Sequence, residues 1–477
     1  MMRTDRPLNL MILQAEDTGR SQGCYGNPVA NTPAIDQLAS EGVRYTHAFS
    51  TAPVSAPSRS AMVTGQAAWT TGAHHMRSTI QQPPPVFTES LRQAGYYVNW
   101  AHKTDFNFDP PDTFADEQSD WIAELAQGKF TGKPWCLYMN FFDTHESGMW
   151  TERHLHEILP RLPPGTRCDP ATVDVPPYLA DTPEVRADLA SHIDCLTLQD
   201  REIARALAAL DASGERDHTL VIYLSDHGRG QIREKRWCYD AGIHMPLILR
   251  WPGTLPENHV DDQIVSWLDI APTLLAAAGV PIPAPYQGRV FAGPDVTTPP
   301  RTCALAGRDR MDEAYDRIRV LRTRDFLYIR NFHPEIPYAQ RIRYMERQRT
   351  TRIMRERWAS DQLTPAQALW FATEKPTEEL YHCPSDPHNV HNLANDPAHQ
   401  DTLTACRNQL LQELAKTGDL GETPEPVLVR QGLVANRIPE YQARIRPLPR
   451  RWQLPVSVPA PDGTPSAPTP LTEIEPT

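Results

Sequence analysis

Four short apolar runs, each followed at once by ionisable residues, constrain the fold of this chain more than any other feature. We predict buried strands over residues 8–13, 96–101, 135–142 and 220–224. Helices predicted over 33–42 and 183–214, each opened by a Thr-Pro pair, alternate with these strands. The alternation predicts an α/β domain, a large mainly parallel or mixed sheet sandwiched by helices.

The character of the sequence changes near residue 301. A hairpin is predicted over 319–330 and a helix over 401–417, separated by an irregular stretch. We therefore assign residues 1–300 to the α/β domain and 301–440 to a smaller C-terminal α+β domain with an antiparallel sheet. Residues 441–477 form a Pro-rich tail.

Composition narrows the possible partners. The chain has 47 Lys+Arg against 59 Asp+Glu, a net charge of −12, which argues against binding nucleic acid or anionic membrane through the overall field. Any anion site must be local. No apolar run approaches the roughly 18 residues that span a bilayer, and the eight cysteines show no CxxC spacing, which argues against zinc fingers.

The N-terminus passes directly into the first predicted strand and leaves no room for a signal sequence. We expect a cytoplasmic protein, or a periplasmic or secreted one if the sequence has been trimmed. A homo-oligomer is compatible with the sequence.

The residues after the four strands carry the chemistry. They are Glu16 and Asp17 after the first, His102, Lys103 and Asp105 after the second, Asp143 and His145 after the third, and Asp226 and His227 after the fourth. Each alone is typical of a helix cap or a turn. The carboxyl ends of parallel strands meet at one edge, however, and clustered carboxylates need a neutralising cation. Oxygen ligands favour calcium or magnesium over zinc.

A Pro-punctuated turn leads into a predicted helix that ends near Gly65. Ser55 would lie just before the helix N-terminus, where free amides and the helix dipole favour an anion. Arg59, one turn later, would add a cationic fork suited to a tetrahedral oxyanion. An ordinary capped helix with a solvent-exposed arginine is the alternative for this segment.

These residues resemble the sulfatases of the alkaline-phosphatase-like superfamily. The signature C/S-x-P-x-R, followed by a helix ending Thr-Gly, matches residues 55–59 and 64–65. Matching blocks follow in order at 16–17, 103, 145, 226–228, 235, 242–246 and 378–394. The resemblance covers about residues 8 to 415. Residues 72–75 and 103–108 are similar to the branch near heparan N-sulfatase (sulfamidase).

The resemblance implies a specific chemistry. Residue 55 would be oxidised to formylglycine, whose hydrate attacks sulfur with one hydroxyl and expels sulfate through the other. Calcium, with magnesium the weaker candidate, would be held by Glu16, Asp17, Ser55, Asp226 and His227. Further roles are implied for charged side chains: Arg59, Lys103 and Lys235 around the sulfate and His145 as general acid.

Substrate-binding residues are also implied. Asp105 stands where many relatives have His, and could contact the second diol hydroxyl or tether a substrate group. His74, His75 and Arg77 resemble pocket-wall residues that read the sugar, with a solvent-facing helix end as the alternative. His244 lies in the matching block 242–246 and is predicted to bind substrate.

The chain departs from the family pattern at two positions. Glu16 stands where most members have Asp, and Ser55 replaces the commoner Cys. Three states of Ser55 stay open: maturation to formylglycine by a radical maturase, an engineered Cys→Ser substitution, or an unmodified serine.

We therefore expect a sulfuric ester hydrolase that removes an O- or N-linked sulfate from a sulfated carbohydrate. A terminal sulfate on a small saccharide is favoured, because the acidic surface repels a long sulfated polymer. The alternatives are a phosphonate or phosphate ester hydrolase of the same superfamily, and a non-catalytic sulfoglycan binder.

Overall fold

The larger sheet has seven strands. The computed structural model describes residues 6–147 and 153–444. The strands are β1 (Asn9–Ala15), β2 (Val43–Phe49), β4 (Tyr97–Ala101), β5 (Trp135–Phe141), β6 (Thr219–Ser225), β7 (His244–Arg250) and β8 (His259–Ser266). The short β3 (Ser78–Ile80) lies outside this sheet. The strand order is β4-β5-β1-β6-β7-β2-β8.

The four strands predicted from the sequence are β4, β5, β1 and β6, and they are consecutive neighbours. All three pairings among them are parallel. Only β7 runs antiparallel to its neighbours β6 and β2, so the sheet is mixed but mainly parallel, as predicted. The carboxyl ends of the four strands therefore share one edge, which is where the ionisable residues follow.

Helices cover both faces of this sheet. The helices of the whole described chain are Pro33–Ser40, Ser55–Thr64, Ala68–Thr71, Phe87–Gln93, Ile122–Ala126, Pro183–Ala212, Asp240–Ile243, Ile270–Ala277, Arg349–Ala359, Pro365–Ala368, Gln400–Thr417, Glu425–Arg430 and Ile438–Arg444. Alternate side chains of β1 enter two different cores: Leu10 and Ile12 one, Met11 and Leu13 the other. Every residue of β1 is buried, as expected for a parallel strand covered on both faces.

The second sheet is antiparallel and has four strands. They are β9 (Ala304–Arg308), β10 (Ile318–Arg322), β11 (Phe326–Asn331) and β12 (Glu378–His382). The order is β12-β11-β10-β9, and the pairing of β10 with β11 confirms the predicted hairpin. The helix Gln400–Thr417, predicted over 401–417, packs Leu403 and Leu410 against this sheet. The smaller α+β region is therefore present, while its limits at 301 and 440 stay predictions.

A late segment of the chain returns to the first domain. Strand β13 (Val434–Asn436) pairs antiparallel with β3, a contact between positions more than 350 residues apart that the sequence did not predict. Of the predicted tail 441–477, residues from 445 onward lie outside the described part. Within residues 6–147 and 153–444, none of the helices combines the length and apolar character needed to cross a membrane.

Candidate active site

Ser55 is the first residue of the helix Ser55–Thr64, rather than the residue before it as predicted. Val54 provides an extended N-cap, and every side chain of this helix is buried. The helix ends at Gly65, whose φ of +59° favours glycine and whose missing Cβ leaves room for the ring of Tyr286. The Ser55 hydroxyl oxygen lies 3.0 Å from Nε2 of His227.

The first and fourth predicted strand ends meet beneath Ser55. Because β1 and β6 are adjacent and parallel, Asp17 and Asp226 leave the sheet side by side. One oxygen of Asp226 accepts hydrogen bonds from the backbone N–H groups of Asp17 (3.1 Å) and His227 (3.0 Å). Asp17 has a φ of +51°, a strained conformation that clusters at functional sites. The backbone is thus shaped to bring the two carboxylates together.

The imidazole of His227 is oriented by its own neighbour. Its Nδ1 lies 2.9 Å from the carbonyl oxygen of Gly228, which can only accept a hydrogen bond, so in the neutral ring Nδ1 carries the proton. Nε2 then accepts a hydrogen bond from the Ser55 hydroxyl, whereas the two nearby carboxylates are also acceptors and cannot donate to it. It lies 3.3 Å from Asp17 and 3.6 Å from Asp226.

This cluster has the donor set of a hard divalent cation site. Ligand atoms of Asp17, Asp226 and His227 lie within 4.8 Å of one another, and so do those of Glu16, Asp17 and His145. Oδ1 of Asp17 is buried and has no hydrogen-bond donor, although a buried carboxylate oxygen is normally satisfied. The residues therefore fit calcium or magnesium. His145, predicted only as an acid, is a further possible ligand.

Arg59 is fully buried, which differs from the predicted fork toward a substrate. Its Nε donates to Asp226 (3.1 Å), and its two terminal nitrogens donate to Tyr138 (2.7 Å) and Asn140 (2.5 Å). Burial alone would lower the pKa of Arg59, but Tyr138 and Asp226 raise it. Arg59 is therefore a permanent cation that braces the carboxylates from below.

The two predicted lysines both reach the cluster. Lys235 donates 2.7 Å hydrogen bonds to Asp17 and Glu146, and these anions raise its pKa against the effect of burial. Lys103 donates to Glu16 and lies 3.3 Å from Asp105. Burial would raise the pKa of Glu16, but Lys103 leads the neighbouring charges that lower it. Both lysines therefore remain charged beside carboxylates.

The entrance to the cluster carries the more exposed side chains. His145 is 32% exposed and its Nε2 lies 4.0 Å from Glu16. Burial lowers the pKa of His145, and the nearby Glu16 carboxylate opposes that shift. Asp105 is 25% exposed; burial would raise its pKa, but Lys103 and then Arg77 lower it. The second and third strand ends thus supply the mouth of the site.

Several residues of the site were missed by the sequence analysis. Glu146 is fully buried and accepts 2.7 Å contacts from Lys235 and Arg236. Gln348, from the second domain, donates to the other Glu146 oxygen at 3.1 Å. Asn140 lies inside β5, where a polar residue in an otherwise apolar run was an available signal. Asp143, by contrast, pairs with Arg161 rather than with the cluster.

His74 and His75 do not fit either reading offered for them. They are only 3% and 2% exposed, so a solvent-facing helix end is wrong, and wall residues of an open pocket would need more exposure. Their rings lie 4.2 Å apart, and burial lowers the pKa of both. Nδ1 of His75 accepts from the backbone N–H of Arg310. Both rings therefore pack against the second domain.

The other two predicted substrate residues lie apart from each other. Arg77 is 27% exposed and pairs with Asp312 at 2.9 Å. His244 lies 2.6 Å from the carbonyl oxygen of Thr46 and also contacts Arg20. Within the described ranges His244 contacts Arg20, Asp240 and residues of β2, and these contacts do not include the cluster around Ser55. Its predicted contact with substrate therefore has no support in this geometry.

Comparison with known proteins identifies the family. The profile of the Sulfatase family matches residues 9–129 and 112–280. An ulvan-active sulfatase from Formosa agariphila is 33% identical over 467 residues, covering 90% of this chain and 78% of that protein. Human N-sulphoglucosamine sulphohydrolase is 26% identical over 467 residues, covering 87% of this chain and 91% of that protein. The chain belongs to the sulfatase family.

Solved structures show the same fold. A 2-O GAG sulfatase superposes with a TM-score of 0.65 at 17% identity, covering 87% of this chain and 93% of that one. A phosphonate monoester hydrolase from Silicibacter pomeroyi gives 0.62 at 17% identity, covering 87% and 97%. These identities establish the alkaline-phosphatase-like fold alone. Family membership makes the protein a sulfuric ester hydrolase, as the sequence predicted.

Proposed function

We propose that this enzyme hydrolyses a sulfate ester or sulfamate on a sulfated carbohydrate, with a terminal sulfate on a small saccharide as the favoured substrate. The names of the ulvan-active sulfatase and of N-sulphoglucosamine sulphohydrolase support a sulfated sugar. The observation that carries the proposal is the Ser55 hydroxyl 3.0 Å from His227 Nε2, above the carboxylates of Asp17 and Asp226.

We propose that Ser55 is matured to formylglycine by a radical maturase. The hydrated aldehyde supplies a nucleophilic hydroxyl and a second hydroxyl through which the sulfated residue breaks down. Gly228 holds the proton of His227 on Nδ1, so the Nε2 lone pair faces residue 55 and the two carboxylates and is available as a ligand of the proposed cation. The burial of Ser55, 2% exposed, keeps bulk water from the reacting hydroxyl.

Glu16, Asp17, Asp226 and His227 would hold calcium, with magnesium the weaker candidate. A bound divalent cation would polarise the sulfate oxygens and lower the charge repulsion at sulfur. The unpartnered Oδ1 of Asp17 supports this assignment. Arg59 fixes Asp226 in place, since its Nε donates to that carboxylate while Tyr138 and Asn140 hold its terminal nitrogens.

Lys103 and Lys235 would neutralise the remaining negative charge around the sulfate. Both lie at the cluster and keep a positive charge, which stabilises the additional negative charge that the sulfuryl group and the leaving group carry in the transition state. His145 would protonate the leaving oxygen or nitrogen, because its half-buried ring stands at the mouth, where the sugar must leave.

Mass spectrometry of the tryptic peptide containing residue 55 tests the nucleophile. We expect a loss of two hydrogens relative to serine in protein co-expressed with a maturase, and turnover of defined sulfated saccharides that scales with the modified fraction. An intact serine in protein from its native host would favour a non-catalytic sulfoglycan binder. It would equally contradict the maturation proposal.

A phosphonate or phosphate ester hydrolase is the second candidate, favoured by the shared fold of the Silicibacter pomeroyi enzyme. Metal, cationic side chains and a tetrahedral anion are common to both chemistries. Parallel assays with 4-nitrophenyl sulfate and an aryl phosphonate monoester separate them. We expect the sulfate ester to give the higher kcat/KM, and the reverse order would favour this second candidate.

A further inference from the structure

We propose that Arg77 binds a second acidic group of the saccharide, a uronate carboxylate or a further sulfate, and that Tyr441 is the residue that positions it. The inference rests on the proposed function, and it names a chemical class of substrate: a sulfated sugar linked to another acidic unit. The supporting observation is that the guanidinium of Arg77 is held rigidly at the mouth of the active site.

The loop before Arg77 is fixed from the second domain. Arg310 is buried and donates to the carbonyl oxygens of Met76 (2.6 Å) and Asp312 (2.5 Å). The same guanidinium forms a buried ion pair with Glu425. The backbone N–H of Met76 in turn donates to the carbonyl of Arg310 at 2.9 Å. The backbone just before residue 77 is therefore fixed by the buried guanidinium of Arg310 and by the hydrogen bond from Met76 N–H to the carbonyl of Arg310.

Arg77 itself is held on three sides. Its Nε donates to Asp312 at 2.9 Å, and its guanidinium stacks on the ring of Tyr441 at 4.1 Å from the centroid. Its carbonyl oxygen accepts from the N–H of Arg437 at 2.8 Å. Tyr441 and Arg437 both belong to the returning segment that follows β13. Two residues of the returning segment therefore help to hold this arginine.

The backbone at Arg77 has a φ of +67°, a conformation that a side chain other than glycine or asparagine rarely adopts. Surroundings that enforce such a conformation are typical of functional positions. Nε of Arg77 is held by Asp312, while its two terminal nitrogens make no hydrogen bond within the described residues. At 27% exposure, this fork remains open to a ligand.

The fork lies beside the mouth of the active site. Asn107 donates to the carbonyl oxygens of Ala73 (2.8 Å) and His75 (2.9 Å), which ties the loop of Arg77 to the loop of Lys103 and Asp105. The charge of Arg77 also contributes to lowering the pKa of Asp105. A saccharide whose sulfate reaches Lys103 would therefore extend over Arg77.

The geometry of a guanidinium explains the ligand class. Its paired N–H groups match a carboxylate or sulfate in two parallel charge-assisted hydrogen bonds. Because Asp312 and Tyr441 already restrict the side chain, little rotamer freedom is lost when the anion binds. A uronate and a further sulfate both supply such an oxyanion, and substrates that carry only one of the two groups distinguish them.

The test pairs protein variants with substrate analogues. The probes are a sulfated uronate–glucosamine disaccharide, the same disaccharide with its carboxyl reduced to an alcohol, a carboxyl-reduced disulfate, and 4-nitrophenyl sulfate. We expect Arg77→Gln to lower kcat/KM for the uronate disaccharide by about 10- to 100-fold, mainly through KM, the range for a lost charged hydrogen bond. The variant should lower kcat/KM for 4-nitrophenyl sulfate far less than for the uronate disaccharide, since that probe lacks the second acid.

The positioning role of Tyr441 has its own readout. Tyr441→Leu should raise KM for the uronate disaccharide several-fold at unchanged kcat, and Tyr441→Phe should restore it because the ring is retained. Arg77→Lys keeps the charge but not the fork, and should recover only part of the loss. The matched control is Arg92→Gln, an arginine with 28% exposure and an acidic partner, Asp116, in an unrelated place.

Each outcome bears on one claim. Equal losses on the uronate disaccharide, the carboxyl-reduced form and the aryl sulfate would overturn the inference and leave the sulfatase proposal standing. A loss seen only with the carboxyl-reduced disulfate would assign the fork to sulfate instead of uronate. A third outcome is that neither the wild type nor any variant turns over a sulfate, while calorimetry shows weaker binding of the disaccharide to Arg77→Gln than to the wild type. The inference would then hold and the proposed function would fail.

Discussion

The floor of the site (Asp17, Asp226 and His227) and its rim (Lys103, Asp105 and His145) are built in different ways. The floor side chains have no exposure and leave the ends of two adjacent parallel strands. The rim side chains are 19–32% exposed and belong to the loops after β4 and β5. The pairing of strands in the sheet determines where the floor side chains lie, whereas contacts between loops determine where the rim side chains lie.

The difference teaches which part of the site can vary. A floor placed by a parallel pairing cannot shift without disrupting the core of the sheet. Rim loops can change length and sequence at small cost to stability, so substrate choice belongs there. We therefore expect floor substitutions to abolish every activity, and rim substitutions to discriminate among substrates.

The largest expected effect comes from Asp17→Ala. It removes the unpartnered buried oxygen and one partner of Lys235, so we expect calcium binding measured by calorimetry and turnover of every sulfate ester to be lost. Asp143→Asn is the control, since that carboxylate also follows a strand of the sheet but pairs with Arg161. Unchanged calcium affinity in Asp17→Ala would remove Asp17 from the floor.

His145→Ala should separate the rim from the floor. We expect a loss of roughly 10²- to 10⁴-fold in kcat on unactivated sugar sulfates, the range for a missing general acid. Turnover of 4-nitrophenyl sulfate, whose leaving group needs no proton, should fall far less. Wild-type rates on the sugar sulfates would show that another group donates the proton; a loss of calcium binding would instead make His145 a metal ligand.

Glu146→Gln tests a residue that joins floor and rim. Arg236 and Lys235 lower the pKa of Glu146 although burial would raise it, so glutamine leaves two buried cations without their shared anion. We expect kcat/KM to fall by about 10- to 100-fold, as is usual for residues that orient metal ligands. Gln348→Ala, which removes only a neutral donor to Glu146, should have a smaller effect; equal effects would argue against the charge as the cause.

The smallest effect on catalysis is expected from Asp240→Asn, in the junction between the two sheets. Two 2.9 Å hydrogen bonds from Arg322 lower the pKa of Asp240 to about 2, although burial alone would raise it. A lowered carboxyl pKa stabilises the fold above the unfolded value near 3.8 and stops doing so as pH falls through about 2. We expect a variant less stable to urea by on the order of 2 kcal/mol at pH 7, with unchanged kcat.

The pH dependence checks the cause of that loss. The difference in unfolding free energy between wild type and Asp240→Asn should shrink between pH 4 and pH 2, because the wild-type carboxylate becomes protonated in the folded state there. A difference that stays constant over this range would mean that the amide disturbs packing. A change in kcat would show that the junction between the sheets reaches the active site.

The floor could be predicted from sequence because one rule connects it to the chain. Asp17 and Asp226 follow buried apolar runs, and the carboxyl ends of parallel strands converge wherever the sheet forms. Ser55 and Arg59 were also found, through the motif they share with sulfatases. The motif did not reveal that Arg59 turns inward, because that depends on Tyr138 and Asn140 inside a neighbouring strand.

The rim residues Lys103, Asp105 and His145 also follow strands and were predicted in the same way, but the more distant residues that pack around the rim were not. Gln348 and Tyr441 lie about 200 and 360 residues from the groups that they contact, and no periodicity relates such distant positions. His74 and His75 look like open pocket residues in a polar sequence, yet the second domain covers them. Long-range packing between the two sheets decides these positions, and a single sequence does not encode it in a readable pattern.

Because Ser55 is buried in the folded chain, a modifying enzyme has access to it for only a limited time. In the folded chain this residue is 2% exposed at the base of a buried helix, so an enzyme that modifies it must reach it before the helix docks on β6. The chain needs roughly 170 further residues to reach His227, or roughly 10 to 30 s of synthesis at about 5–20 residues per second. Under the proposed maturation, modification and folding compete during translation, and we expect host growth temperature or codon usage to alter the active fraction of the purified enzyme.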